Sequence, residues 1–593
     1  MTTYRLALLA AAALPLGACA TMSAEPMAAS PAPAQADSRA ALLALFERSG
    51  ADFLDRNPVA GFFRGDFTRA DRLGDNFSAG YQARERAAAE ADLAALMAID
   101  RNALGAQDRV SYDVFAYNQQ RTLEQTGPAA LPFEKYLPID HFRGFHISYP
   151  RLSSAGGVMP FATVADYDNA LKRHAQVRRM MDEAIARFRE GMAAGVVQPR
   201  LTVTTMISQL DTQLKLGTEQ TPYWTPIAGF PDGIGAADRA RLTADMRRAI
   251  EGEIRPSLQK LRDFLANEYL PATRETIGLS AAKGGSPYYA YRIAEMTTLP
   301  LTAEEVHEMG LAEVARINAA LAKARAEAGD RKPKIFRDKA SLTEAWYAIG
   351  RRVDPLMPRL FSTIPRTPLE IRPYETYREA FNLAASYSPG NVETGKPGTF
   401  YFSGYNLENR QVSPTIALYM HEGNPGHHFE TMLAFENTAL PRFQRYGGFT
   451  AYSEGWGLYA EHLGYELGLY DDPLDRIGAL GGGELLRAVR LVVDTGIHAK
   501  GWSREQAVDY MVSNGQPRDF AMSETARYTV MPAQALAYKL GELKIKALRR
   551  KAETALGDRF DVRAFHAQVL GSGNLPLPVL EAKIDRWIAG GGN

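Results

Sequence analysis

The chain has 593 residues, 46% hydrophobic and 23% charged, which is the make-up of a folded globular protein too long for one small core. Its 68 acidic side chains balance 68 basic ones, so nothing in the charge favours nucleic acid or a strongly charged partner. No run beyond the N-terminus reaches the roughly 20 apolar residues that a membrane-spanning helix needs.

At the N-terminus, Arg5 precedes the apolar run Leu6 to Leu16, which leads into Leu16-Gly17-Ala18-Cys19. A basic start, a short apolar core and small residues at a cleavage point make a secretory signal. The Leu-Gly-Ala-Cys ending resembles the lipobox of bacterial lipoproteins, in which the cysteine becomes the lipidated first residue. That resemblance makes 1–18 a signal peptide, Cys19 the lipidation site and a lipid anchor the sole membrane contact. Ala20 replaces the aspartate associated with inner-membrane retention, which points to the outer membrane, facing the periplasm. Cys19 is the single cysteine, so stability must come from the core rather than from an intramolecular disulfide. Residues 19–37, rich in Ala, Pro, Ser and Met without a hydrophobic period, read as a flexible tether.

From residue 38 to 593 the chain reads as one mostly α-helical domain, with a possible lobe boundary at 267–286. Tyr81 to Asp100 is packed with helix formers, and Leu171 to Ala194 and Ala237 to Glu268 continue the pattern. Thr302 with Glu305 forms a capping box ahead of Val306, Val314, Ile317 and Leu321. Leu474 to Lys500 and Ala533 to Ala552 are also predicted helical. Strand candidates are Leu201 to Thr205 and, better, Thr399 to Ser403. The latter could align an extended substrate by edge pairing, though such a strand is more often simply core.

Three of the ten histidines fall within His421-Glu422-Gly423-Asn424-Pro425-Gly426-His427-His428. Imidazoles beside carboxylates suit zinc, and a hydrolytic zinc site needs three protein ligands, an open position and a carboxylate to handle a water proton. In a regular His-Glu-x-x-His the two histidines share a helix face at about 6 Å separation. Here the spacings are six and seven, so the helix must break, and Asn424-Pro425-Gly426 supplies the break. Spacing leaves open which of His427 and His428 folds back. Glu454 and Glu461, seven apart in a helical stretch, share one face, and this segment is the best source of a third ligand. His307-Glu308 reads as structural, and His141 and His146 as packed or surface histidines.

Roughly from Ala40 onward the chain resembles a bacterial group catalogued as domain of unknown function 885. The marks are the 421–428 run, Ser453-Glu454-Gly455-Trp456, Val493 to His498, and Arg527-Tyr528 with Pro532-Ala533-Gln534-Ala535. Ala533 stands where many members have glycine. A remoter likeness is to helical gluzincin peptidases such as thermostable carboxypeptidases, oligopeptidases and angiotensin-converting enzyme. It implies a large helical zinc-peptidase-like fold with a small β element lining the active-site cleft. By that resemblance His421, His427 and Glu454 hold one zinc ion and Glu422 is the general base, while the two-residue insertion departs from the family pattern. His428 would then lie beside the site as a substrate contact.

Tyr528 is the candidate for stabilising the oxyanion, and Arg527 or Lys539 for gripping a substrate carboxylate; the alternative is Tyr528 as packing and Arg527 as a surface ion pair. Arg490, Asp494 and His498 line one helix face, where Asp494, with His498, could orient a zinc histidine or form an internal salt-bridged stripe. The leading expectation is a metallopeptidase acting on peptides. Alternatives are a zinc amidase for non-peptide or modified-peptide amides and a catalytically silent, lipid-anchored binding protein, against which the intact Glu422 argues. From the lipobox, wild-type protein should partition with membranes carrying a lipidated N-terminus and Cys19→Ala should not, as mass spectrometry of the mature N-terminus would show.

Overall fold

Helix formers, caps and apolar spacing produce helix in every stretch that predicts it. The structure, a computed structural model, describes residues 33–374, 379, 385–393 and 395–592. Cys19, the signal segment and most of the predicted tether lie outside these, and the first described helix, Pro33–Arg56, starts inside the stretch read as tether. The 31-residue helix α1 (Val164–Ala194) opens with a Thr163–Asp166 capping box and closes on Gly195 at φ +75°, the left-handed stop that glycine adopts cheaply. Thr302 and Glu305 form the predicted capping box at the head of a helix spanning Ala303–Ala328. Among the described residues no helix is long and apolar enough to cross a membrane.

Leu201 to Thr205 is not a strand. It lies in helix α2 (Arg200–Leu214), whose buried Thr202, Val203, Met206 and Leu210 follow the helical period. The threonines that made it look strand-like satisfy their hydroxyls within the helix: Thr204 Oγ1 donates to Arg200 O at 3.0 Å and Thr205 Oγ1 to Leu201 O at 2.8 Å.

The described strands form one small sheet, ordered β1-β3-β2. Strand β1 (Leu369–Pro373) pairs parallel with β3 (Gly398–Phe402), and β2 (Ser386–Ser388) pairs antiparallel with it. The Thr399 to Ser403 prediction is therefore right as a strand and wrong as a docking edge, because β3 is central and buried along its length.

One apolar cluster is drawn wholly from residues between Phe62 and Tyr269. A second gathers Tyr419, Met420, Trp456 and Tyr459 with the C-terminal helices and the sheet residues Ile371, Phe400 and Phe402. Each large side chain so buried contributes roughly 1.5–3 kcal/mol.

Within the second cluster, helix α3 (Ile416–Glu422) stops, the chain turns through 423–426 with a cis Asn424–Pro425 bond, and α4 (His427–Glu436) begins. Helix α5 (Thr450–Glu466) crosses α8 (Ala537–Leu556), with α6 (Leu485–His498) and α7 (Arg518–Val530) alongside. The α5–α8 crossing is backbone on backbone. A Cβ on Gly455 would sit 2.5 Å from the Gly541 carbonyl carbon, and one on Gly541 would sit 1.9 Å from Ala451 O. Gly541→Ala must push the helices apart. Overpacking of a core costs about 1–3 kcal/mol, so its melting temperature should fall clearly below wild type, whereas Gly482→Ala, with no atom within 4 Å of the new Cβ, should change it little.

Candidate metal centre

The Gly423–Gly426 turn brings together what sequence spacing kept apart. A Cβ on Gly426 would lie 2.0 Å from His421 O, so only glycine lets the chain fold back this tightly. Trp456 Nε1 donates to Pro425 O at 2.7 Å and Asn424 Nδ2 to Asp354 Oδ1 at 3.1 Å, pinning the turn. As a result the rings of His421 and His427 stand edge to face, 4.7 Å apart.

Glu454 on α5 completes the group. Its Oε2 lies 3.5 Å from His421 Nε2 and 3.3 Å from His427 Nε2, and the three ligand atoms all fall within 4.8 Å of one another. Yet Glu454 Oε2, shielded from solvent, makes no properly directed hydrogen bond. Ligand atoms around a tetrahedral zinc, with bonds of about 2.0–2.2 Å, stand about 3.3 Å apart. Three ligand atoms converging this closely, with the carboxylate oxygen 3.3 and 3.5 Å from the two nitrogens and itself orphaned, fit a divalent cation.

Each imidazole is oriented from behind. His421 Nδ1 donates to Glu461 Oε1 at 2.8 Å, which leaves Nε2 as the free donor atom. His427 Nδ1 meets Ser453 Oγ at 3.4 Å, Ser453 Oγ donates to Glu430 Oε2 at 3.1 Å, and Asn574 Nδ2 donates to Glu430 Oε1 at 3.0 Å. Gly457 makes room for the first ring, since its Cβ would lie 2.7 Å from His421 Cε1. Burial pushes the His421 pKa down, but the Glu454 and Glu461 carboxylates outweigh it and raise the metal-free ring to about 9. Burial would lift the Glu454 carboxyl, but the two imidazoles hold it well below its usual range.

Glu422, at the end of α3, is 7% exposed. Its carboxylate takes part in none of the hydrogen bonds or ion pairs described and acts electrostatically on His427.

His428, the ring that spacing could not exclude, is turned away. Its Nε2 donates to Thr367 O at 3.0 Å and its Nδ1 faces the Tyr387 hydroxyl at 3.1 Å. With both nitrogens committed to the sheet side, it is a strut between α4 and the sheet, available neither to a metal nor to a substrate.

Tyr528 is also misplaced as an oxyanion donor. Fully buried, it donates to Glu524 Oε2 at 2.6 Å and accepts from Arg490 Nε at 3.0 Å. Tyr538, the second residue of α8, is a tyrosine coupled to the centre instead. Burial and then the Glu454 carboxylate raise its phenol pKa, against Arg490 and Arg527, so it lies within electrostatic reach of the centre. Sequence reasoning passed over it because no motif marks it.

Lys539 is 0% exposed and pairs with Glu313, Glu484 and Glu542 at 3.0, 2.8 and 2.7 Å. Closed in by three carboxylates, it holds the core together and cannot bind substrate. Arg527 spends its donors on Glu524 and on Gln534 Oε1, standing behind Tyr538 with Gln534 between them.

Asp494 and His498 do not touch His421 or His427 either; the carboxylate that orients His421 is Glu461. Asp494 accepts from the Tyr289 hydroxyl at 2.6 Å and from Ala533 N at 3.0 Å, and burial pushes its pKa up to about 7. His498 bonds Tyr528 O at 3.0 Å and Leu279 N at 3.3 Å. The Arg490–Asp494–His498 face is thus an internal polar stripe tying α6 to α7. Ala533 sits at φ +66°, the left-handed region that favours glycine.

His307 bonds Thr495 Oγ1 at 2.8 Å and His146 faces Gln209 at 3.2 Å, while His141 packs edge-on to Phe142. None of the three belongs to the converging group. Glu461 and Glu430 were missed as orienting groups, although the seven-residue spacing from Glu454 to Glu461 was a usable signal.

Purified wild-type protein should hold one zinc per chain after dialysis against a weak chelator. His421→Ala, His427→Ala and Glu454→Ala should each lose it, while Glu461→Gln should bind about 10- to 100-fold more weakly. His428→Ala should keep the metal and lose stability. Zinc lost from His428→Ala but kept by His427→Ala would reverse the ligand assignment.

No curated protein matches the chain. A structure described as a "putative lipoprotein" from Colwellia psychrerythraea superposes with a TM-score of 0.84 at 25% identity, covering 93% of this chain and 99% of its own. A second, described as a "putative lipoprotein of unknown function" from Shewanella oneidensis, gives 0.67 at 16% identity, covering 91% and 99%. A "putative oligoendopeptidase F" from Bacillus anthracis str. Ames gives 0.28 at 10% identity over 85% of this chain and 96% of its own, a score too low to show a common fold. The profile described as "Bacterial protein of unknown function (DUF885)" matches residues 58–584, and the chain belongs to that family.

Proposed function

We propose that the chain is a zinc-dependent peptidase, held at the periplasmic face of a membrane by lipid on Cys19. The observation that carries this reading is the convergence of His421, His427 and Glu454 on one point, with the unpartnered Glu422 beside it. When bound, zinc supplies a Lewis acid that polarises an amide carbonyl and brings a water's pKa towards neutrality.

The chain's own residues do the rest. Glu461 and Ser453 fix the two imidazoles so that Nε2 of each faces inward. Glu422 takes the proton of the attacking water and delivers it to the leaving amine. The Tyr538 hydroxyl donates to the oxyanion of the substrate, in the role that sequence gave to Tyr528. The two solved relatives described as lipoproteins support the reading of Cys19 as the anchor.

Glu422→Gln tests the assignment, because it preserves shape and removes the base. It should retain stoichiometric zinc and wild-type melting while losing about 10²- to 10⁴-fold in turnover of a peptide library. Near-wild-type hydrolysis by this variant would remove Glu422 from the mechanism. Absence of hydrolysis by zinc-loaded wild type on every peptide offered would remove the peptidase reading.

A further inference from the structure

Three guanidinium groups gather beside the centre with too few carboxylates to balance them. Arg487 and Arg490 on α6 lie 5.6 and 4.7 Å from the centroid of the Tyr538 ring, and Arg527 stands behind, bonded to Gln534. The carboxylate paired with this group is Glu524, bound by Arg490 at 2.9 Å and Arg527 at 2.8 Å. Asp494 acts on Arg527 electrostatically, but its oxygens are occupied by Tyr289 and Ala533. The neighbouring Lys539, Lys546 and Arg316 pair with Glu313, Glu484 and Glu542 and lend no negative charge.

Donors are left over on this wall. Arg487 uses Nη1 on Gly482 O and Gly483 O, while its Nε is shielded and has no partner. Arg490 spends Nε on Tyr528 and Nη2 on Glu524, and its Nη1 makes no hydrogen bond among the described residues. The Tyr538 hydroxyl has one long contact, 3.5 Å from Gln534 Nε2. The wall also reaches the metal group, since Arg487 acts on His421 and Glu454 acts on Tyr538.

We propose that Arg487 and Arg490, the guanidinium groups against the Tyr538 ring, form the subsite for the free α-carboxylate of a peptide's last residue, which makes the chain a carboxypeptidase-type exopeptidase. This rests on the peptidase reading above and adds which end of the substrate is held. A planar carboxylate matches the guanidinium fork, and it brings the negative charge that the wall lacks. A residue spans at most about 3.6 Å, so a terminus anchored next to Tyr538 puts a bond close to that end at the centre. Water adds across this bond. The C–N bond breaks, the water oxygen joins the acyl carbon, and its proton passes through Glu422 to the leaving amine. The released piece keeps the original carboxylate, and the shortened peptide gains a new one.

The test compares N-acetylated peptides of one sequence with a free or an amidated C-terminus. Zinc-loaded wild type should cleave the free acid with kcat/KM about 10- to 100-fold above the amide, releasing C-terminal residues. Zinc-loaded Glu422→Gln, which binds without turning over, should bind the acid tighter than the amide by a similar factor in calorimetry. Arg487→Gln should bring the acid-to-amide ratio towards one, and Arg487→Lys should restore part of it. Equal cleavage of acid and amide, or products cut internally, would overturn the carboxylate subsite and leave the peptidase intact. Failure to cleave either peptide, with zinc bound, would overturn the peptidase reading and this inference with it.

Discussion

Glu454 Oε2 is a shielded carboxylate oxygen placed between two imidazole nitrogens without hydrogen-bonding geometry to either. An ionised carboxylate withdrawn from water costs several kcal/mol unless a charge or donor compensates it. Protonated imidazoles can supply part of that charge, but a divalent cation at the point of convergence supplies all of it and satisfies both nitrogens as well. Much of the C-terminal half can be understood as the scaffolding that keeps these three atoms within 4.8 Å of one another.

That scaffolding works by removing side chains as much as by placing them. Gly455 and Gly541 let α5 and α8 touch, which sets Glu454 on one helix against Tyr538 on the other. Gly457 clears the His421 ring. A Cβ on Gly483 would fall 2.1 Å from Glu461 Oε2, so the glycine-rich π-helical stretch before α6 is what lets Glu461 sit behind that ring. His428 works from the other side, bolting α4 to the sheet so that His427, its neighbour, points inward.

Charge is partitioned just as sharply. Around Lys539 the positive and negative groups close on one another, giving a buried network whose integrity matters to the fold. Nearby, Arg490 and Arg527 share Glu524 while Arg487 bonds only carbonyl oxygens, so positive charge remains in excess. A closed network has no use for a ligand, whereas an open one facing the metal group does. The same helix face therefore carries a structural stripe at Asp494 and His498 and, at Arg487 and Arg490, the donors that the proposed subsite uses.

Local chemistry was legible in the sequence. Helix content, the Thr302 capping box, the β3 strand, the break at Asn424-Pro425-Gly426 and the set His421, Glu422, His427 and Glu454 all follow from propensity, spacing or the family's motifs. What sequence misassigned depends on direction in three dimensions. Spacing cannot say that His428 faces the sheet, because a one-residue step on a helix turns a side chain by about 100°, and only packing says which way is inward. Lys539 and Tyr538 are adjacent in the chain, so composition treats them alike; burial gives the first three carboxylate partners and brings the second to the metal group. Tyr528 looked catalytic and Asp494 looked like a group orienting a zinc histidine, but Tyr528 is tied up by Glu524 on its own helix and by Arg490, and Asp494 by Tyr289 and Ala533. The sequence by itself determined which residues carry the chemistry of a metal site. Only the tertiary structure decided which atoms converge, because that convergence rests on helix crossings between segments about 30 to 115 residues apart, at an interaxial closeness that glycine alone permits.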